Sequence, residues 1–245
     1  MLRSQYDTDC ITWSPQGRLF QVEYALEAVK QGSLCVALRS QDFVVLATLN
    51  RCPNKLALHQ QKIYQVDAHL GLAFAGLTAD GRLITKFMRT EALNHQYTFG
   101  NPINPGRLVT KIAEKSQLKT HRAGKRPYGV GCLVAGVDEN GPHIYETCPD
   151  ANTFEYVAHA IGARCQAAKT YLEKHFESFA TCSFDQLLTH AVAAVRASAQ
   201  GEVELVPEAV SVAAVGPGHP FALLSADVVA SKLAETQAQA MAVDL

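Results

Sequence analysis

No run of apolar residues in this sequence approaches the roughly 20 needed to span a bilayer, so no membrane-spanning helix is expected. Neither sign of charge dominates: 22 Lys and Arg stand against 23 Asp and Glu in 245 residues. That balance argues against a general electrostatic grip on nucleic acid or anionic lipid, and favours proteins or small molecules as partners. The seven cysteines contain no CxxC pair, and their odd number and scatter argue against both a disulfide framework and a zinc site. A reducing compartment fits best. The opening MLRSQYDTDC has neither a long apolar core nor a small-residue cleavage site, so no secretory signal is expected. The SKL at 231–233 is internal and is not a peroxisomal address. No linker-like stretch divides the chain, and with 48% hydrophobic residues it carries enough apolar material for one large core.

What is present begins near the N-terminus with WSPQGRLFQVEYALEA at 13–28. Ser14-Pro15-Gln16-Gly17 places Ser, Pro and Gly at the positions a type I turn prefers, so the chain reverses there. Leu19, Val22, Leu26 and Val29 then recur at helical spacing, and Gly32 is the expected stop. This predicts an amphipathic helix of about three turns. Its stripe has no partner in the first thirty residues and must be covered by the rest of the chain or by another chain.

Beyond it, short apolar runs at 34–38 and 43–48 flank a polar Ser40-Gln41-Asp42 corner, a hairpin pattern. Strands are expected at 63–67 and 70–75, then a helix capped by Thr78 or Asp80, then a second helix opened by Asn104-Pro105. The pattern repeats: a hairpin from 130–137 and 143–147, a helix carrying Ala167, Ala168, Tyr171, Leu172, His175, Phe176 and Phe179, and another opened by Ser183 and Gln186 at capping-box spacing. Strands at 209–215 and 221–224 follow, then an Ala- and Gln-rich tail. Helix pairs alternating with strand groups on short corners predict α+β with antiparallel sheets.

Catalytic signals are sparse. Gly32-Ser33 precedes the first strand, where a self-processing N-terminal-nucleophile hydrolase would cut to free a hydroxyl whose own amine is the base. Against that reading, the preceding turn and helix are built to stay, and Ala47-Thr48-Leu49-Asn50 offers no carboxylate at the end of the second strand. Lys62 reads either as a solvated loop lysine or as a single cation placed to receive a carboxylate. KTHRAGKR at 119–126 offers phosphate contacts that would suit RNA binding or a nuclease, but a short basic loop on a neutral chain is ordinarily a solvated surface. The nine histidines, among them His59, His69 and His95, lack metal-site spacing.

Nearly end to end, the sequence resembles the alpha-type subunits of the 20S proteasome core particle. The carriers are YD at 6–7, WSPQGRLFQVEYALEA at 13–28, GS at 32–33, AGLTADGRL at 75–83, RPYGVG at 126–131 and IGAR at 161–164. EAVKQGS, RPYGVG, GPHI and TCPDAN further resemble the type-one branch, the sixth position of the eukaryotic ring. The resemblance implies a four-layer αββα sandwich of the N-terminal-nucleophile hydrolase kind with an extra N-terminal helix. It divides the chain into a gate segment and helix at 1–31, a sandwich core at 32–225 and a tail at 226–245.

It also implies a role: a non-catalytic structural and gating subunit of the outer seven-membered alpha ring. Expected partners are the other alpha subunits, the beta subunits of the adjacent ring, and the ATPase regulatory particle or other activators, with no nucleic acid, membrane, metal or cofactor. The expected setting is the cytoplasm and nucleus, in degradation of ubiquitin-tagged proteins. Carried over by residue, Tyr6, Asp7, Pro15 and Tyr24 match the gate cluster, and Lys62 and Gly76 match the pocket for an activator's C-terminal tail. Val22 and Leu26 fall on the helix expected to pack in the ring. Thr8 departs from the family's usual arginine, and Leu49 stands where a catalytic acid would be.

Overall fold

At the Ser40 corner the chain reverses as expected: the Ser40 N–H donates to Phe43 O at 2.8 Å, and its hydroxyl accepts from the Phe43 N–H at 3.1 Å. The computed structural model describes residues 5–52, 56–199 and 205–243. Along the chain come α1 (Phe20–Gln31), β1 (Cys35–Arg39), β2 (Val44–Leu49), β3 (Ile63–Asp67), β4 (Leu70–Gly76), α2 (Thr78–Phe99) and α3 (Pro105–Thr120). Then follow β5 (Val130–Asp138), β6 (Gly141–Thr147), β7 (Thr153–Tyr156), β8 (Ala158–Ile161), α4 (Cys165–Phe179), α5 (Phe184–Ala199), β9 (Val210–Gly216), β10 (His219–Leu223) and α6 (Ala226–Val243).

Two five-stranded sheets form, ordered β10-β9-β2-β1-β8 and β3-β4-β5-β6-β7, and every pairing is antiparallel. Their inner faces meet through Ala37, Leu46, Ile63, Leu133 and Val215. Helices α4 and α5 cover the outer face of the first sheet, and α2 and α3 that of the second. This is the expected αββα sandwich with an added N-terminal helix. It is a consequence of apolar strands buried on both faces, which need a helix layer on each side.

Local chemistry sets the helix ends. Asn104 accepts from the Arg107 N–H with Pro105 at the first helical position of α3, and Ser183 and Gln186 bond reciprocally at the start of α5. Neither expected cap serves α2. Its N-cap is Leu77 without a side-chain bond, because the Asp80 carboxylate is drawn instead to Arg126, 46 residues away. The expected C-terminal tail is the 18-residue helix α6, docked through Val229 and Leu233. In α4, Phe176 stays 54% exposed although its periodicity put it on the core face.

Helix α1 lies across one end of the sandwich against β4 and β5, with Val29 joining the inter-sheet core. The buried face is Phe20, Val22, Ala25 and Val29. The expected stripe is therefore corrected by rotation: Val22 and Val29 point inward, while Leu19 and Leu26 are half-buried.

Between α4 and α5 the Tyr171 hydroxyl and His190 Nδ1 share a hydrogen bond at 3.0 Å, with the His175 and His190 rings 5.4 Å apart. Burial, then the neighbouring His175 charge, holds the His190 pKa below its ordinary value. The stabilisation from neutral His190 is thus complete above the unfolded pKa of about 6.5 and is lost as pH falls below it. Thermal midpoints should drop by a few degrees between about pH 7.5 and 5.5, and by less in His190→Gln, as read by calorimetry.

Candidate functional site

Ser33 is the middle residue of the three-residue link from α1 to β1, and Lys62 immediately precedes β3, so the two sheets bring them together from 29 positions apart. The Lys62 ammonium donates to the Ser33 carbonyl at 2.5 Å and to the Ser33 hydroxyl at 2.6 Å. Lys62 is 4% exposed and Ser33 8%. Two other buried charged residues mark the contrast: Asp80 is paired with Arg126, and Lys232 with Asp185 and Glu235. Among the described residues no carboxylate stands within ion-pair distance of Lys62. The adjoining Cys35 thiol supplies no counter-charge: burial pushes its pKa up, against the pull of the Lys62 charge and hydrogen bond, and it donates to Phe74 O at 3.0 Å. Among the described residues the result is a buried cation held by neutral partners, the two Ser33 oxygens and the Cys35 thiol, an arrangement that an incoming anion would complete.

Beside this pair three glycines stack. A Cβ on Gly32 would lie 2.1 Å from the Gly76 backbone nitrogen, so no larger residue fits. Gly76 has φ +115°, and a Cβ there would lie 2.2 Å from the Gly129 carbonyl. The Leu77 N–H donates to that carbonyl at 2.8 Å. Behind Gly129 sits the Asp80 carboxylate, which accepts from the Gly129 N–H at 2.9 Å and from both Arg126 terminal nitrogens at 2.6 and 2.9 Å. Three motifs distant in sequence, GS at 32–33, AGLTADGRL at 75–83 and RPYGVG at 126–131, therefore converge on one corner. Sequence reading named Lys62 and Gly76 but missed Gly32 and Asp80 as their supports; the glycine and aspartate inside those motifs were the signal.

The N-terminal segment is tied to the other end of α1. Tyr24 donates its hydroxyl to the Asp7 carboxylate at 3.1 Å, and the Gln21 amide donates to the Asp7 carbonyl. Pro15 is exposed within a turn closed by the Gly17 N–H on Ser14 O at 2.9 Å, with Gly17 at φ +74°. Cys10, 1% exposed, donates to Arg122 O at 3.3 Å and so pins the segment to the end of α3. Asp7 and Tyr24 thus meet within one chain; Tyr6 is half-buried and Thr8 exposed, while Trp13 remains 63% exposed. Val22 packs inward at 9% exposure, whereas Leu26 lines a groove of about 600 Å³ between α1 and α4.

A cut of the N-terminal-nucleophile kind would fall at the Gly32–Ser33 bond, whose carbonyl accepts from the Ala163 N–H at 2.6 Å. In the 119–126 loop, Arg126 is engaged by Asp80, and Lys119 lies 5.1 Å from the Tyr128 ring centre. Among the described residues no three His, Cys, Asp or Glu side chains are grouped to hold a metal ion.

Comparison with known proteins adds two family matches: the proteasome subunit family over residues 29–215, and the N-terminal signature of the A-type proteasome subunits over residues 6–28. The chain is similar to the alpha type-1 proteasome subunit of Dictyostelium discoideum, with 50% identity over 225 residues, 91% of each chain. It is 46% identical over 226 residues to the alpha type-1 proteasome subunit of Trypanosoma brucei rhodesiense, covering 92% of this chain and 85% of the other. Against the probable alpha type-6 proteasome subunit of Schizosaccharomyces pombe the identity is 44% over 223 residues, 91% and 82% of the two chains.

Proposed function

The chain belongs to the proteasome alpha-type subunit family of the 20S core, and from that premise we propose that it is a non-catalytic structural and gating subunit of the outer ring. It serves ubiquitin-dependent degradation through the assembled particle, in the cytoplasm and nucleus. The observation that carries the non-catalytic reading is the packing of α1 across the end of the sandwich, against β4 and β5, immediately before Ser33. A self-processing hydrolase would need that helix removed and a free amine at Ser33. The packing of Phe20, Val22, Ala25 and Val29 favours retention instead.

The gating part rests on the Asp7–Tyr24 contact, which holds the segment before the turn on α1. Tyr6 and Pro15 belong to the same cluster, completed by contacts between neighbouring subunits, and the half-buried Leu26 contributes to ring packing. Docking of an activator rests on Lys62, a buried ammonium without a counter-ion among the described residues, with the Gly76 backbone nearby. A C-terminal carboxylate entering there gains a charge-assisted hydrogen bond, and if it does so better in one gate state, binding biases the gate.

In particles carrying Lys62→Ala, the activator's dissociation constant should rise by about tenfold, the loss of one charge-assisted hydrogen bond, while the chain is still incorporated. Titration of activator onto purified particles measures it. An unchanged constant would remove Lys62 from docking; recovery of chains beginning at Ser33 by intact-mass measurement would overturn the non-catalytic reading.

A further inference from the structure

An ammonium has three N–H donors: Lys62 commits two of them to the carbonyl and hydroxyl of Ser33, and the third has only the neutral Cys35 thiol, a weak acceptor that a carboxylate would displace. The Ser33 oxygen accepts there, so its own O–H remains to be donated, and no acceptor for it is present among the described residues. Lys62 and Ser33 are both more than nine-tenths buried, and their donors share one spot next to Gly32 and Gly76, where the absence of side chains leaves only backbone. A lysine on its flexible four-carbon stem is ordinarily a poorly oriented point charge. Here the two Ser33 oxygens fix its direction without cancelling its charge. That separates it from Lys232, whose charge is already answered by Asp185 and Glu235.

We propose that Ser33 is the second recognition residue of this site: it orients the Lys62 ammonium and donates its own O–H to the terminal carboxylate of a docked peptide tail. The inference rests on the docking role of Lys62 and adds to it a second residue. One N–H and one O–H then meet the two oxygens of a planar carboxylate, and a tail ending in an amide gains neither the charge nor the second acceptor. The buried neutral surroundings make each bond count for more than it would in water.

The test uses assembled particles and the C-terminal decapeptide of an activator bearing a photoreactive group, as free acid and as amide, with crosslinking to this chain read against peptide concentration. Wild-type particles should favour the free acid. Ser33→Ala should weaken free-acid capture by about tenfold and leave amide capture unmoved, the loss of one hydrogen bond to a charged group. Ser33→Cys, nearly the same size with a poor donor, should behave likewise and serves if the alanine variant fails to assemble. Ser33→Thr should restore the preference for the acid. If Ser33→Ala and Ser33→Cys keep the wild-type preference while Lys62→Ala loses it, Ser33 is not a recognition residue although the docking reading stands. An equal fall for acid and amide would show distortion of the corner and also overturn the proposal. A Lys62→Ala particle that still prefers the acid would sink both.

Discussion

Gly32→Ala should destabilise the chain by about 3 kcal/mol or more and keep it out of assembled particles. The methyl group would be placed 2.1 Å from the Gly76 nitrogen and 2.8 Å from the Ala75 carbonyl carbon, both backbone atoms. A flexible side chain can turn aside, but here a strand or the end of α1 must move, and overpacking of this kind costs roughly 1–3 kcal/mol even where relaxation is easy. Relaxation is not easy at this point. Gly32 is the C-cap of α1, its carbonyl is held by Ala163, and Gly76 is itself pressed against Gly129. Gly17→Ala is the control: Gly17 has a left-handed φ of +74°, yet nothing lies within 4 Å of its would-be Cβ. It should cost only the conformational penalty of about 1–2 kcal/mol. Thermal unfolding of the isolated chains and native mass of the particles would compare the two; equal midpoints for Gly32→Ala and wild type would mean that α1 is not clamped to the sheet.

The contrast between these glycines shows what a sequence can and cannot disclose. Both stand in recognisable motifs, and the turn at Ser14–Gly17 was legible because its chemistry is local, as were the Asn104-Pro105 and Ser183–Gln186 helix starts. The close approach at Gly32 was not, since it depends on β4 arriving from more than forty residues later. Strands β7 and β8 escaped for a different reason. Each has four residues at a sheet edge, and Thr153, Phe154 and Glu155 are all exposed, so no burial alternation marks them. Helix α6 reads as a solvated tail because small and amide residues fill it. Its place is fixed by Lys232 reaching Asp185 at 2.6 Å, a tertiary contact. Lys62 lies between these extremes: the residue was identifiable, but its isolation from every described carboxylate emerges only in space.

Asp80→Ala should cost about 3 kcal/mol, because the aspartate serves two partners with different recourse to water. Arg126 has a side chain 61% exposed and can hydrate its guanidinium when the carboxylate is gone. The buried Gly129 N–H has no such alternative, and stranding it carries most of the penalty, about 1–3 kcal/mol. Its loss also frees the loop whose Gly129 carbonyl braces Gly76 and Leu77, so activator binding should weaken along with stability. Asp80→Asn sharpens the test: its amide oxygen still accepts from Gly129 but gives Arg126 no charge, so the loss should be near 1 kcal/mol, the share of the partly exposed ion pair. The pH dependence follows from the same contacts. Burial raises the Asp80 pKa, but the hydrogen bonds from Arg126 and Gly129, with the charges of Arg126 and Lys119, outweigh it and hold the pKa below the ordinary carboxylate value. A depressed folded pKa means that the stabilisation is complete above the unfolded value near 4 and is lost as pH falls through the folded value. Denaturation curves for wild type and Asp80→Asn should therefore converge below about pH 4 and separate above it, a window distinct from that of His190. Parallel curves across that range would show that the carboxylate charge contributes nothing and that only the hydrogen bond to Gly129 holds the corner closed.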